Sequence, residues 1–394
     1  MGVHGSFLSR LLREGTSEKL QGTNHVNSLR AHLGFREGKQ ALLALRILHV
    51  GVGVRGQQWL DTVRHSAEAI SVGCVDPVPA ALGRISSVYP ELPRFTNLDE
   101  ALSRVDAQSA IIASPETMHV ENALQCLEAG LAVMVEKPFA STVKEALKAV
   151  ERGNILNRPV IAVQNYRFHP IERTLRHPIQ HGHLGKIASV HCVARRNRPG
   201  KGTFLGSLDY AQIVDVGVHY FDSLRSILGC NPVSMVARTF NPPWSDYRHG
   251  AVTEALIEMD GGIHVQYLGA LTSQRYSFRL WIEGESGAAL TNRKWVLWRP
   301  RGKRLFWTVG LVRVPKGDDA PNPREGMISL LLGLRDAILQ KREPETSARD
   351  NLWTLAMVEA GMRSDQERRE VTIEEVLNQA KVPEPDTNCR SYGG

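Results

Sequence analysis

An acid, a histidine and a second acid recur along the apolar segment IVDVGVHYFDSLRSILG, residues 213–229. Asp215, His219 and Asp222 stand at positions i, i+4 and i+7, so a regular α-helix would place all three on one face. A histidine beside a carboxylate can act as a general base near neutral pH. The same arrangement can be purely structural, because a buried polar group is stable only when it is paired. The segment alone leaves both interpretations open.

A glycine motif precedes this segment. Gly51, Gly53 and Gly56 spell G-x-G-x-x-G between the apolar run LRILHV and a predicted helix. The glycines allow a tight turn and a close approach of the backbone, and the start of the helix offers free N–H groups to a pyrophosphate. The motif in this context predicts dinucleotide binding, with Val54 and Arg55 inside the binding loop.

The acid that follows the glycine motif bears on the choice of cofactor. Asp76 closes the next predicted strand, about 20 residues after the last glycine, where an acid accepts hydrogen bonds from the ribose hydroxyls of NAD. A carboxylate there repels the 2′-phosphate of NADP, and Pro77 and Val78 supply no compensating cation. NAD is therefore favoured over NADP, although Arg55 or Arg84 could reach such a phosphate.

Two kinds of segment must position these residues. Strands and helices alternate over 45–163, which predicts an α/β Rossmann domain with a parallel sheet. Over 164–380, strands follow one another across turns, which predicts an α+β domain with a large open-faced mixed or antiparallel sheet. The helix at 213–229 and a late helix, MISLLLGLRDAILQ, are expected to pack on one face of this sheet. Residues 1–44 and 381–394 are interpreted as a flexible extension and a flexible tail.

Composition excludes several classes of protein. No apolar run reaches the ~18 residues of a membrane span, so no membrane partner is expected. The chain has 5 cysteines, an odd number with no C-x-x-C pair, which argues against a disulfide framework or a zinc site and favours a cytoplasmic location.

The formal net charge of +7 is concentrated in one basic, aromatic-rich window, residues 292–307. An exposed hairpin or an oligomer interface is the favoured interpretation, ahead of contact with an acidic substrate and of nucleic-acid binding. No nucleic-acid partner is predicted. A second basic stretch, RRNRPGK at 195–201, is expected to line the substrate cleft.

Eight short motifs, in this order, resemble the glucose–fructose oxidoreductase, inositol dehydrogenase and rhizopine-catabolism (GFO/IDH/MocA) family over residues 45–378. They are VGVGVRG, VGCVDP, IIASPETMH, VEKPFA, QNYRFHP, DVGVHYFD, WIEGESG and SARDNLWTLAMVEA. The pair EKP and D-x-G-x-H, about eighty residues apart, is the most specific of these signals. The resemblance implies a Rossmann domain, an open-faced sheet that forms a homodimer or homotetramer, and a sugar or cyclitol substrate.

The resemblance also implies roles for matching residues. Lys137 matches the active-site lysine, and Asp215 and His219 match the acid and the histidine of the family's triad. The remaining matches are cofactor contacts: Ser114, Pro115 and His119 in the loop along the cofactor, Glu136 beside the nicotinamide ribose, and Gln164, Asn165 and Arg167 near the nicotinamide.

With the resemblance, catalysis becomes the favoured interpretation of the polar stripe. His219 would accept the hydroxyl proton, Asp215 would orient the imidazole, and Lys137 would hydrogen-bond the alcohol oxygen while hydride passes to NAD. Asp222 could serve only to anchor the helix. Two other functions stay open: redox-neutral cleavage of a glycosidic bond with tightly bound NAD, and non-catalytic sensing of a sugar or of NAD.

Overall fold

The structure is a computed structural model that describes residues 44–300 and 323–383. The N-terminal extension up to residue 43, the part of the basic window from 301 onward and the tail from 384 lie outside the described residues. In the described part, no helix is long and apolar enough to cross a membrane.

The first sheet has six strands, all parallel. The strands are β1 (Leu45–Val50), β2 (Ala69–Val75), β3 (Arg94–Phe95), β4 (Ser109–Ile112), β5 (Ala132–Val135) and β6 (Val160–Ala162). Their spatial order is β3-β2-β1-β4-β5-β6. The order reverses between β1 and β4, and the crevice at such a switch point is where open parallel sheets bind ligands. The predicted parallel Rossmann sheet is therefore confirmed.

Helices link these strands and cover both faces of the sheet. They are α1 (Val54–Arg64), α2 (Pro79–Ser86), α3 (Leu98–Arg104), α4 (His119–Glu128) and α5 (Val143–Ile155). Three of them begin with residues that favour a helix start: Pro79 starts α2, and Asn97 and Thr142 cap α3 and α5 with their side chains. The short α2, α3 and β3 are not identified by the sequence patterns.

The second sheet has eight strands. They are β7 (Ile187–Asn197), β8 (Pro232–Phe240), β9 (Val252–Met259), β10 (Ile263–Ala270), β11 (Thr272–Gly284), β12 (Gly287–Thr291), β13 (Val296–Pro300) and β14 (Val371–Thr372). Their order is β13-β12-β11-β7-β10-β9-β8-β14. The pair β7 and β10 is parallel, and all other neighbours are antiparallel, so the predicted mixed sheet is confirmed.

The helices of this second region are α6 (Pro170–Gln180), α7 (Phe204–Ser207), α8 (Val218–Leu228), α9 (Pro323–Gln340), α10 (Ala348–Glu367) and α11 (Ile373–Gln379). A π-helical turn, Gln212–Gly217, runs directly into α8. The combined helix packs on the second sheet as expected: Tyr220 stacks on Phe278 at 5.4 Å between ring centroids, and Phe221 meets Tyr267 edge-on at 5.1 Å.

The position of the late helix α9 differs from the prediction. Instead of packing on the mixed sheet, it contributes Met327, Leu330, Leu331 and Leu334 to an apolar cluster with the first sheet. Strand residues on one face of that sheet, among them Leu45, Ile47, Ile111 and Met134, form the rest of the cluster together with α1. A parallel sheet needs both faces covered, and α9 supplies cover that the intervening helices leave incomplete.

Candidate active site

A cleft of about 1120 Å³ opens at the carboxyl ends of the strands of the first sheet and reaches the π-helical turn of the second region. Most of the predicted site residues line it: Gly51, Gly53, Val54, Arg55, Asp76, Ser114, Pro115, His119, Glu136, Lys137, Asp215 and His219. Gly56, Gln164, Asn165 and Arg167 do not.

The glycine loop forms one wall of the cleft, and each glycine has its own reason. Gly51 has φ +87°, and a Cβ on it would lie 2.7 Å from the carbonyl oxygen of Ala113. A Cβ on Gly56 would lie 2.0 Å from the carbonyl oxygen of Gly51, so Gly56 supports the turn from behind. Around Gly53 no heavy atom lies within 4 Å of the Cβ position, and this residue borders the cleft.

The start of α1 fits a pyrophosphate. Gly53 caps the helix without a side-chain hydrogen bond, and the first turn contains no acidic residue. Gly53, Val54 and Arg55 line the cleft, so this helix terminus, which favours negative charge, borders it. The residues present thus fit the diphosphate of a dinucleotide.

Asp76 closes β2 beside this loop and is buried. Its Oδ2 accepts a hydrogen bond from the backbone N–H of Val52 at 2.9 Å, and its Oδ1 accepts one from that of Val78 at 3.0 Å. The carboxylate therefore fixes the loop directly. Each carboxylate oxygen can accept a second hydrogen bond, which leaves capacity for a ribose hydroxyl in the cleft.

The loops after β4 and β5 are joined by a buried histidine. One ring nitrogen of His119 lies 2.9 Å from the carbonyl oxygen of Ser114, and the other lies 2.9 Å from that of Pro138. In the β5 loop, Glu136 accepts a hydrogen bond from the indole N–H of Trp59 at 2.8 Å, and this anchors it against α1. His119 thus holds the cleft wall through backbone atoms.

Lys137 and Asp215 form an ion pair in the cleft. The Lys137 Nζ donates to Asp215 Oδ1 at 2.6 Å and to the Asp215 carbonyl oxygen at 3.1 Å. Arg198 Nη1 donates to the other carboxylate oxygen, Oδ2, at 2.8 Å. Burial tends to raise the pKa of Asp215, but the attraction of Lys137 and Arg198 outweighs it and lowers that pKa. Asp215 is therefore a carboxylate shared by two cations.

His219 does not pair with Asp215, contrary to the role predicted for that acid. Its imidazole stacks on the Tyr166 ring, with 4.3 Å between centroids and 12° between planes, and its Nδ1 is buried without a hydrogen-bond partner. Burial first, and then the charges of nearby cations led by Lys137, lower the pKa of His219 well below its usual value. The imidazole is therefore neutral at neutral pH.

The π-helical turn explains the separation of Asp215 from His219. In a π-turn, hydrogen bonds run from i to i+5, so residues four apart no longer lie one above the other as they do in an α-helix. Asp215 lies inside this turn and His219 lies after it, in α8. The prediction of one polar face assumed a regular α-helix, and this assumption is wrong here.

Asp222 and Arg167 belong to a buried structural network outside the cleft. Arg167 donates to both carboxylate oxygens of Asp222, at 2.7 and 2.6 Å, and also to Asp350 and to the Glu345 carbonyl. Thr354 donates to Asp222 as well, at 3.0 Å. These partners occupy the guanidinium of Arg167 outside the cleft, and they anchor Asp222 and its helix.

Gln164 and Asn165 also lie beside the cleft and not on its surface. Gln164 is buried, and neither atom of its side-chain amide has a hydrogen-bond partner; the side-chain oxygen of Asn165 is likewise unpartnered. Asn165 begins a short 3-10 turn, Asn165–Phe168, which places the neighbouring Tyr166 in the cleft wall.

Several site residues were not identified individually from the sequence. Tyr166 lies in the quoted motif QNYRFHP but carried no predicted role, and it lines the cleft. In the predicted cleft-lining stretch 195–201, Arg196 and Arg198 line the cleft. Its Arg195 is exposed on the other face of β7.

The basic window divides in the structure. Its described part includes strand β13, paired with β12 as a hairpin edge of the second sheet. Arg293, however, turns inward: it pairs with Glu172, and its guanidinium carbon lies 4.4 Å from the centre of the Tyr166 ring. Nothing in the local sequence distinguishes Arg293 from its exposed neighbours, because its contacts come from distant segments.

Among residues 44–300 and 323–383, no group of three or more histidine, cysteine, aspartate or glutamate side chains is arranged to hold a metal ion.

Comparisons with known proteins agree with this geometry. The profile described as "Oxidoreductase family, NAD-binding Rossmann fold" matches residues 45–161, and that of the "GFO/IDH/MocA C-terminal domain" matches residues 173–290. An inositol 2-dehydrogenase of Rhizobium meliloti is 25% identical over 344 residues, which cover 84% of this chain and 100% of that protein. An uncharacterized protein of Sinorhizobium fredii is 24% identical over 64% of this chain and 74% of its own length.

Solved structures show the same fold. An oxidoreductase from Agrobacterium radiobacter, solved in complex with NAD+, L-tartaric acid and magnesium, matches with a TM-score of 0.76 at 18% identity, over 84% of this chain and 98% of that one. The profile matches extend over both sheets, and the cleft lies between the glycine loop of the first region and the π-helical turn of the second. The chain belongs to the GFO/IDH/MocA family of NAD-binding oxidoreductases.

Proposed function

We propose that this protein is an NAD-dependent dehydrogenase that oxidises a secondary hydroxyl of a sugar, a glycoside or a cyclitol. The observation that carries the proposal is that Lys137, Asp215 and His219 line the same cleft as the glycine loop, whose following helix has no side-chain cap at its N-terminus. The inositol 2-dehydrogenases among the relatives support a cyclitol or sugar as the substrate class.

NAD, when bound, accepts the hydride from the carbinol carbon. Lys137 uses two of its three N–H groups on Asp215, which leaves one for the substrate oxygen. This contact stabilises negative charge as it develops on that oxygen. Asp215 therefore orients the Lys137 ammonium, a different role from the one expected from sequence.

His219 is the proposed base for the hydroxyl proton. A base must be unprotonated to accept a proton, and the lowered pKa of His219 keeps the ring neutral. Stacking on Tyr166 holds the plane of the ring without a carboxylate partner. Ser114, Pro115, Glu136 and His119 shape the cofactor part of the cleft.

The proposal specifies NAD ahead of NADP. Asp76 lines the cleft at the end of β2, where its negative charge disfavours a 2′-phosphate. Both arginines that could compensate, Arg55 and Arg84, line the cleft. Arg55 already donates to Gln58 and lies 3.9 Å from the carboxylate of Glu136. Comparison of NAD and NADP dissociation constants measures this preference, and tighter binding of NADP would contradict it.

The assembly and location of the protein are also proposals. The outer face of the second sheet carries exposed apolar side chains, among them Leu256 on β9 and Trp281 on β11. This face supports a homodimer or a homotetramer, which light scattering measures; a monomer at micromolar concentration would refute it. The cysteine pattern supports a cytoplasmic location, and fractionation of the producing cells tests that.

The decisive experiment begins with the protein as isolated. Denaturation followed by mass spectrometry quantifies released nucleotide, and a panel of sugars and cyclitols with added NAD is then followed by NADH absorbance. We expect turnover, and we expect His219→Ala to lower kcat about 10²- to 10⁴-fold while the dissociation constant for NAD is unchanged. His264→Ala, at an exposed histidine on β10, is the matched control.

Three outcomes separate the alternatives. Full activity of His219→Ala contradicts the assignment of the base. Near-stoichiometric NAD(H) in the isolated protein, with glycoside cleavage and no net NADH, supports the redox-neutral reaction instead. A protein that binds no nicotinamide dinucleotide refutes the proposed function as a whole.

A further inference from the structure

The end of the cleft beyond the cofactor loops carries an excess of positive charge. Lys137, Arg196 and Arg198 line it, and Asp215 is the carboxylate among them. Lys137 and Arg198 already share the two oxygens of Asp215. Within the described ranges, no carboxylate forms an ion pair with Arg196. Arg55 and Glu136 also line the cleft, and their opposite charges offset each other at 3.9 Å. The three cations and one acid therefore leave unmatched positive charge, since the imidazole of His219 is neutral.

Arg196 is held in place by neutral groups. Its Nη2 donates to the hydroxyl of Tyr166 at 2.7 Å and to that of Tyr220 at 3.2 Å, and its Nε is buried with no partner. Arg196 is half-buried, and a cation partly withdrawn from water without a counter-ion is costly; a buried donor such as its Nε is almost always satisfied in proteins. Arg293, the next cation behind these tyrosines, does have an acidic partner, Glu172. Arg196 is the exception.

Arg198 extends the same surface toward solvent. It lies just beyond the end of β7, two residues after Arg196, and both side chains line the same cleft. Its Nη1 is bound to Asp215, while the side chain remains 45% exposed. The guanidinium groups of two arginines on one wall, each with N–H groups left over, match the geometry of a carboxylate or a phosphate.

We propose that the substrate carries an anionic group, a carboxylate or a phosphate, which Arg196 and Arg198 bind while the reacting hydroxyl meets Lys137 and His219. This inference rests on the proposed dehydrogenase function for the hydroxyl, but the anion contact itself does not depend on turnover. A uronic acid, an acidic cyclitol or a sugar phosphate has the required chemistry.

The test compares sugars that differ only at C6. The complex with saturating NADH is titrated with glucose, glucuronate and glucose 6-phosphate, and with the same sets in the galactose and mannose series, and the fluorescence of bound NADH reports binding. At least one anion should bind on the order of 10- to 100-fold more tightly than its neutral parent. The carboxylate and phosphate arms identify which anion the two arginines prefer.

Variants assign the effect to this surface. Arg196→Gln and Arg198→Gln should each reduce the preference for the anion about tenfold, and added salt should weaken it. Arg195→Gln removes the same charge from the exposed face of the same strand and should keep the preference. Thermal unfolding of each variant verifies that it is folded, and Arg198→Gln, at a half-exposed site, provides the test if Arg196→Gln does not fold.

Two results overturn the inference: no anion binds more tightly than its neutral parent at concentrations up to about 10 mM, or the preference persists in both cleft variants. Absence of NADH binding instead contradicts the proposed function. In that case the same titrations are followed by calorimetry on the free protein, where anion binding sensitive to Arg196 and Arg198 still supports the inference.

Discussion

Replacement of Arg167 by methionine should destabilise the protein and leave its affinity for NAD unchanged. Arg167 makes four hydrogen bonds, two of them to Asp222, whose side chain is fully buried. Loss of the guanidinium leaves that carboxylate buried with Thr354 as its remaining donor. Removal of one partner of a buried ion pair costs about 3–5 kcal/mol, and Asp350 adds little because Arg225 still pairs with it.

Urea denaturation measures the free energy of unfolding, and fluorescence titration measures the dissociation constant for NAD. The double variant Arg167→Met, Asp222→Leu removes both charges and should recover much of the loss, since no unpaired carboxylate remains. Arg158→Met, at an exposed arginine, is the control and should change stability by less than about 0.5 kcal/mol. A tenfold loss of NAD affinity with unchanged stability would refute this reasoning and restore the predicted cofactor contact.

Two further predictions concern the cleft itself. Gly53→Ala should lower NAD affinity at least about tenfold without lowering the unfolding temperature, because the new methyl group enters the cleft and touches no protein atom. In Gly56→Ala the methyl group meets the Gly51 carbonyl, so this variant should also lose about 1–3 kcal/mol of stability. Equal unfolding temperatures for the two variants would count against this geometry. The acid limb of kcat/KM against pH should lie below pH 6.5, because burial and nearby cations lower the pKa of His219 and extend its unprotonated form to lower pH. A limb at or above 6.5 would contradict the assignment.

The parallel sheet and the glycine loop could be predicted from sequence because their signals are local. Apolar strands such as Leu45–Val50 stand directly before glycine or acidic turns, and parallel strands bring their carboxyl ends to one edge of the sheet. Residues at those ends, including Asp76 and Lys137, therefore lie in the cleft wherever the intervening helices pack.

The partners of the polar side chains could not be predicted in the same way. Asp215, His219 and Asp222 are regularly spaced, yet the π-helical turn directs the first to Lys137 and the last pairs with Arg167. One extra residue in a helical turn leaves no reliable mark on the apolar pattern. Arg196 likewise depends on tyrosines from two other segments of the chain, which only the folded structure brings together.

The contribution of α9 to the first sheet affects the order in which the protein can fold on the ribosome. Residues 45–163 leave the exit tunnel before the second sheet, but one face of their sheet lacks Met327, Leu330, Leu331 and Leu334, which are synthesised only after strands β7 to β13. Until then, apolar side chains such as Ile47 and Met134 lack their cover. We therefore expect a nascent chain or a fragment that ends before α9 to expose this apolar face of the first sheet and to be less stable than the full chain.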